Sequence, residues 1–175
     1  MKSDPAIETR FLQLVEANRQ KILRICQVYA WTSADREDLY QEVLFQIWRA
    51  LPGLETQAHA NTWVYRVALN TVISHVRKTT ANKRDSVPMA QDEIRETIEK
   101  RQSAVSEQNL QIERLYDAIG KLDKVERALI TLFLEDLSYA EIADVLGLNT
   151  SHVGVMLHRA KKKLSQLMQQ EEVSS

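Results

Sequence analysis

The sequence predicts an all-α chain of two small helical domains joined by a flexible linker, the second domain containing a helix-turn-helix. Three observations point there. Gly and Pro are scarce, with four and three residues among 175. Long stretches repeat their apolar residues with a 3.6-residue period, and alternating strand patterns are nearly absent. From Thr79 to Ser106 that period gives way to a polar, charge-rich stretch that contains Pro88 and few large apolar residues, as a linker would. We therefore place domain boundaries at 1–82, 83–108 (linker) and 109–175.

The elements follow in order. Ile7 to Ala30 reads as a helix, with Phe11, Leu14, Val15, Ile22, Ile25 and Tyr29 on or near one face. Ala34 to Leu51 is a second helix, ended by Pro52 and Gly53. Residues 54–60 form a polar loop. Asn61 to Lys78 is a third helix, with Val64, Val67, Ala68, Thr71 and Val72 to bury. These three helices can close one small bundle. The amphipathic pattern returns at Asn109, where Ile112, Leu115, Ile119 and Leu122 mark a fourth helix. Asp123 and Glu126 have capping-box spacing and start a fifth, with Val125, Leu129, Ile130 and Phe133.

The segment SYAEIADVLGLNTSHVGVMLHRAKKK, residues 138–163, is the densest in local signals. Ser138 and Glu141 again form a capping box. Gly147 stands where a left-handed C-cap is needed, a conformation Gly adopts without a Cβ clash. Asn149 can cap the next helix. In that helix Val153, Leu157, Ala160 and Leu164 share one face, and Ser151, Val155, His158, Arg159 and Lys162 share the other. An apolar anchor opposite short polar groups and cations is the layout of a DNA-reading helix-turn-helix. The competing reading is a plain helical hairpin with a solvated basic end.

Two other helices offer more than a core face. In REDLYQEVLFQIWRAL (36–51), Leu39, Val43 and Ile47 make one apolar row, and Tyr40, Leu44 and Trp48 another. Asp38, Glu42, Phe45 and Arg49 make a third, beside Gln41 and Gln46. An aromatic ringed by charge suits a partner surface; burial on two sides is the alternative. In the third helix Arg66, Asn70, Ser74, Arg77 and Lys78 lie away from the apolar face, and Trp63 and Tyr65 sit near its start. Aromatics beside cations suit single-stranded DNA, where bases stack and phosphates pair. For Trp63 itself the favoured reading is a core anchor.

The formal net charge is −1, so total charge does not suggest nucleic acid, but its distribution does. Arg77, Lys78, Lys83 and Arg84 form one basic cluster, and Arg159, Lys161, Lys162 and Lys163 another. Cys26, the only cysteine, excludes an intrachain disulfide and is expected to be a buried thiol. His59, His75, His152 and His158 have no ligand spacing, and no phosphate loop or hydrolase motif occurs. No catalytic centre, metal or cofactor is expected. With no signal-peptide core or spanning run, a cytoplasmic protein without membrane insertion is expected.

Taken in order, these segments resemble the bacterial extracytoplasmic-function sigma factors, two-domain initiation subunits of RNA polymerase. REDLYQEVLFQIWRAL is similar to the family's core-polymerase-binding helix. TWVYRVALNTVISHVRK (62–78) is similar to the helix that melts and reads the −10 element. LDKVERALITLFLEDLSYAEIADVLGLNTSHVGVMLHRAKKKL (122–164) is similar to the −35-reading domain.

The resemblance implies contact with core RNA polymerase through Asp38, Gln41, Glu42, Phe45, Gln46 and Arg49. It implies contact with −10 promoter DNA through Asn61, Trp63, Arg66, Asn70, Arg77 and Lys78, helped by the loop at 54–60. At −35 it implies Ser151, His152, Gly154 and Val155, followed by His158, Arg159, Lys162 and Lys163. Gly154 would allow close backbone approach to DNA, and Val155 would meet a thymine methyl. An anti-sigma factor is an expected partner by resemblance. Two other readings stay open here: an operator-binding helix-turn-helix regulator, and a helical adaptor with no DNA role, against which the basic outer face of the last helix argues.

Overall fold

The computed structural model describes residues 5–54, 60–83 and 107–173. Among these no strand occurs. The helices are α1 (Pro5–Tyr29), α2 (Ser33–Ala50), a 3-10 turn (Leu51–Gly53), α3 (Ala60–Lys83), α4 (Glu107–Gly120), α5 (Lys124–Leu134), α6 (Tyr139–Leu146) and α7 (Thr150–Val173). The loop at 55–59 and the linker at 84–106 lie outside the described residues. Helix α3 runs five residues past its expected end; no Gly or Pro interrupts 79–83, so polar composition alone did not stop it.

Helices α1, α2 and α3 pack pairwise into the first bundle. The i, i+4, i+8 row Leu39, Val43 and Ile47 of α2 is fully buried, and Ile22, Ile25 and Cys26 of α1 meet it with Val64, Ala68 and Val72 of α3. Thr32 caps α2, its hydroxyl accepting the Asp35 amide at 3.0 Å. Pro52 begins the 3-10 turn, where its missing N–H does no harm. Burial pushes the Cys26 thiol up to about 12, leaving it protonated and inert at neutral pH.

Helices α4 to α7 form the second bundle. The Asp123 carboxylate accepts the Val125 and Glu126 amides at 2.9 Å, and Glu126 returns the bond to the Asp123 amide at 3.2 Å. Those bonds, that from the Glu126 amide first, hold the Asp123 carboxyl below its ordinary range. Ser138 and Glu141 make the same reciprocal cap at α6. Gly147 takes φ +68°, and the Leu148 amide then reaches the Ala143 carbonyl at 2.9 Å, closing α6. Asn149 caps α7, accepting the His152 amide at 2.7 Å.

The two bundles are not separate bodies. One apolar cluster runs from Ile22 and Tyr29 through Tyr65 and Ile119 to Leu157 and Ala160. Helix α1 packs on α4, and α3 packs on α5 and α6.

The cap of α6 gives a pH test. The Ser138 hydroxyl, then its amide, hold Glu141 below the usual carboxylate range. A lowered folded-state value means that the contribution is present above the unfolded carboxylate pKa and is lost as pH falls through the folded one. Ser138→Ala should therefore destabilise the protein by about 1 kcal/mol at pH 7. In urea denaturation that penalty should shrink as pH falls through the lowered folded-state value of Glu141 and the carboxylate protonates in both proteins.

Candidate functional site

Three exposed helix faces hold the candidate residues. On α2, Asp38, Gln41, Phe45 and Arg49 are exposed, and Glu42 and Gln46 are half-buried beside them. The Gln46 amide donates to Glu42 Oε1 at 2.8 Å, which ties the two half-buried polar side chains together one turn apart. Phe45 is 57% exposed. The alternative of burial on two sides is half right. Both apolar rows are covered, Trp48 standing edge-on to Phe11 with centroids 5.1 Å apart, and the charged row is left outside.

On α3, Asn61, Asn70, Ser74, Arg77 and Lys78 are exposed. Since i, i+4 positions share a face, Asn70, Ser74 and Lys78 stand in a line, with Arg77 beside it. Trp63 is half-buried and packs against both apolar clusters, close to Leu51 and Leu54, in line with its favoured reading as a core anchor. Arg66 is engaged elsewhere. Its guanidinium is paired with Asp144 Oδ1 of α6 at 2.9 Å and donates to the Asp144 carbonyl at 2.7 Å.

On the helix-turn-helix, Val153, Leu157 and Ala160 are fully buried and fix how α7 is rotated about its axis. That rotation leaves Ser151, His152, Val155, His158, Arg159 and Lys162 exposed together. Val155, an apolar residue, is 53% exposed at the centre of this face. Two residues expected there are otherwise engaged. A Cβ on Gly154 would lie 3.6 Å from the Tyr139 ring, an ordinary van der Waals contact, so Gly154 faces Tyr139 of α6 and a methyl group would fit there. Lys163 donates to Glu126 Oε2 of α5 at 2.7 Å, and that bond raises its pKa. Lys161 lies 3.4 Å over the Phe133 ring. Among the described residues no group of three or more His, Cys, Asp or Glu side chains is placed to hold a metal ion.

Known proteins arrange the same regions in the same order. The sequence model of Sigma-70 region 2 matches residues 14–82, and that of Sigma-70 region 4 matches residues 112–164. The chain belongs to the sigma-70 family, as an extracytoplasmic-function member. It is 27% identical to the RNA polymerase sigma factor SigV of Bacillus subtilis over 99% of this chain and 100% of that protein. It is 28% identical to the extracytoplasmic-function sigma factor SigG of Mycobacterium tuberculosis over 92% of this chain and 50% of SigG. Two solved structures share the fold, each with a TM-score of 0.67. One is CnrH in complex with the cytosolic domain of CnrY, at 23% identity over 93% of this chain and 89% of that one. The other is the sigma factor RpoE of Bartonella quintana with the anti-sigma factor NepR, at 18% identity over 95% and 98%. The sigma factor described here directs promoter-specific transcription initiation by RNA polymerase. Sigma factors regulate transcription and are not catalysts. None of its described helices is long and apolar enough to cross a membrane.

Sequence reasoning missed Arg24, Glu135 and Asp144, which join the two bundles. Arg24 grips both Glu135 oxygens, one at 2.7 Å, and Tyr65 donates its hydroxyl to the same carboxylate at 3.1 Å. Burial and the Glu135 charge push the Tyr65 hydroxyl pKa up, so it stays a donor. No spacing rule links residues 24, 65 and 135, so no sequence signal marks them.

The exposed and covered rows of α2 give a stability test. Phe45→Ala should change unfolding free energy by less than about 0.5 kcal/mol, as expected of a surface residue. Trp48→Ala should cost roughly 2–3 kcal/mol, reduced from a full core truncation because Trp48 is half-buried. Urea titration of both variants checks the difference.

Proposed function

We propose that the three faces divide promoter recognition among them. In this reading residues 1–82 form the domain that binds core polymerase and opens the −10 element. Residues 109–175 read the −35 element, and 83–108 connect them. The α2 face of Asp38, Gln41, Glu42, Phe45, Gln46 and Arg49 docks on core RNA polymerase, with Phe45 as the apolar anchor in a polar rim. Asn70, Arg77 and Lys78 of α3, with Asn61 and a released Arg66, hold the unpaired strand at −10. Trp63 supports that helix from the core side. The exposed α7 face enters the major groove at −35.

The observation that supports this best is Phe45. A large aromatic left open to solvent among charges, on a helix whose other two rows are covered, has no structural task in the free chain. A near-zero net charge fits the same division, because a subunit held on DNA by a large partner needs little free-standing affinity. The neighbouring CnrH and RpoE structures contain CnrY and an anti-sigma factor, so we propose an anti-sigma partner here as well. The factor acts where polymerase and promoter are, in the cytoplasm.

The deciding experiment is in vitro transcription of genomic fragments with purified core polymerase. The wild-type factor should confer initiation at specific promoters. Glu42→Lys and Phe45→Ala should lower that output by weakening association with core, with unchanged circular dichroism. Tight duplex binding by the factor alone, with no core association, would instead favour an operator-binding regulator.

Selectivity at −35 separates base contacts from phosphate contacts. A good base contact discriminates by roughly 1–3 kcal/mol, whereas a phosphate contact weakens all sequences alike. Across a randomised −35 library, His158→Ala or Val155→Ala should change sequence preference. Lys162→Ala should lower output evenly and reduce its salt dependence. An unchanged profile for both His158→Ala and Val155→Ala would remove direct readout from those two residues.

A further inference from the structure

The start of α3 is anchored by the first turns of α1. Leu54 and Ala60, the described residues on either side of the loop at 55–59, are both buried. With Leu51 they form a small apolar cluster of their own, covered by Ile7, Phe11 and Leu14 of α1 and by Trp63. Leu54 leaves the 3-10 turn in extended backbone, with ψ 97°, so its carbonyl falls outside the bonding of that turn. Half-buried Arg10 supplies a partner. Its guanidinium donates to the Leu54 carbonyl at 2.8 Å, across 44 positions of sequence. The Leu54 amide is bonded to the Leu51 carbonyl at 3.0 Å, so both backbone groups of this stem residue are fixed.

The face that depends on this stem is the one assigned above to the −10 strand. Ala60 begins α3, and Asn61 follows it on the exposed side. Leu54 shares the wall of one cavity with Thr62, Trp63 and Arg66. Trp63 touches both apolar clusters and so couples the stem to the first turn of α3. Arg10 lies on none of the three exposed faces described above. Ile7, Arg10 and Phe11 also precede residue 14, where the match to Sigma-70 region 2 begins.

We propose that Arg10 is a positioning residue for −10 recognition: by holding the Leu54 carbonyl it fixes the stem from which α3 starts, and with it the placement of Asn61 against the unpaired strand. This rests on the division of labour proposed above. Side chains that read a ligand keep their discrimination only when supporting residues hold them to within about 0.5 Å. Arg suits that task, because its planar head is pre-organised and sets the direction of the bond as well as its length. A bond from a charged donor is also stronger than one between neutral groups, and partial burial protects it from screening.

The test compares the wild type with Arg10→Met and Arg10→Lys in the full-length factor. Met removes the donors and keeps an unbranched apolar stem, whereas Lys keeps a charged donor. In the free factor, hydrogen exchange of the Leu54 amide should speed up roughly tenfold in Arg10→Met, the scale of losing one hydrogen bond to a charged group. The Val43 amide, in the main cluster, should keep its rate. With core polymerase, output is then read across a randomised −10 library on premelted templates at two salt concentrations. Arg10→Met should narrow the ratio between the best and poorest −10 sequences by roughly fivefold, the low end of what one base contact contributes. Association with core, the −35 profile and the salt dependence should not change. Arg10→Lys should restore most of the exchange protection and of the −10 selectivity. A selective wild type with an unchanged Arg10→Met profile overturns the positioning role alone. An even loss across all −10 sequences with weaker salt dependence also overturns it, in favour of a phosphate contact by Arg10. A wild type indifferent to −10 sequence overturns the division of labour instead, and the exchange rates still report whether Arg10 holds the stem.

Discussion

Helix α5 is enclosed by α3, α4, α6 and α7, and five consecutive residues, Ala128 to Leu132, are buried. Over this central stretch no side of the helix faces solvent, although Val125 and Leu134 near its ends do, so its neighbours must fit it. Leu129 and Leu132 are fully buried in the same apolar cluster as Val153, Leu157 and Ala160 of α7, which packs on α5. Each fully buried aliphatic side chain contributes about 1.5–3 kcal/mol relative to exposure. The rotation of α7 leaves Val155 and His158, rather than Leu157, open to solvent. The exposed face proposed above to read DNA is thus tied to the core on its other side.

Local signals in the sequence were sufficient for most of this fold. The capping boxes at Asp123 and Ser138, the left-handed Gly147 and the Asn149 cap each depend on residues within five positions of one another. Their geometry is therefore legible without tertiary structure. The apolar rows of α2 were legible for the same reason, and their burial left Phe45 exposed as the spacing required. The engagements of Gly154, Lys163, Trp63 and Arg66 were not legible, for the opposite reason. Each sits on the expected helix, but its partner comes from another: Tyr139, Glu126, the Leu51–Leu54 cluster and Asp144. Periodicity says which side of a helix is polar. It does not say which polar side chain another helix will claim.

Internal pairing of charge explains why so few of the candidate cations are unengaged. With 23 Lys and Arg against 24 Asp and Glu, there are enough carboxylates to pair many cations internally. Lys163, Arg66 and Arg24 are paired within the closed chain. Arg159 and Lys162 remain on the exposed α7 face, and Arg77 and Lys78 on α3. Half-exposed ion pairs contribute little each and are screened by salt, so phosphate oxygens can compete with Asp144 for Arg66 at small loss.

Glu135 differs, because its carboxylate is nearly excluded from water. Parting the bundles removes Arg24 and the Tyr65 hydroxyl but also returns that carboxylate to solvent, and the two effects oppose each other. The junction can therefore be specific without being strong. Bidentate geometry at Arg24 fixes how the halves meet, and rehydration of Glu135 limits how tightly they are held. An apolar patch in the same position would have no matching release, since exposing it to water would recover nothing. A charged junction with unpaired polar atoms beside it is therefore specific in geometry and limited in strength.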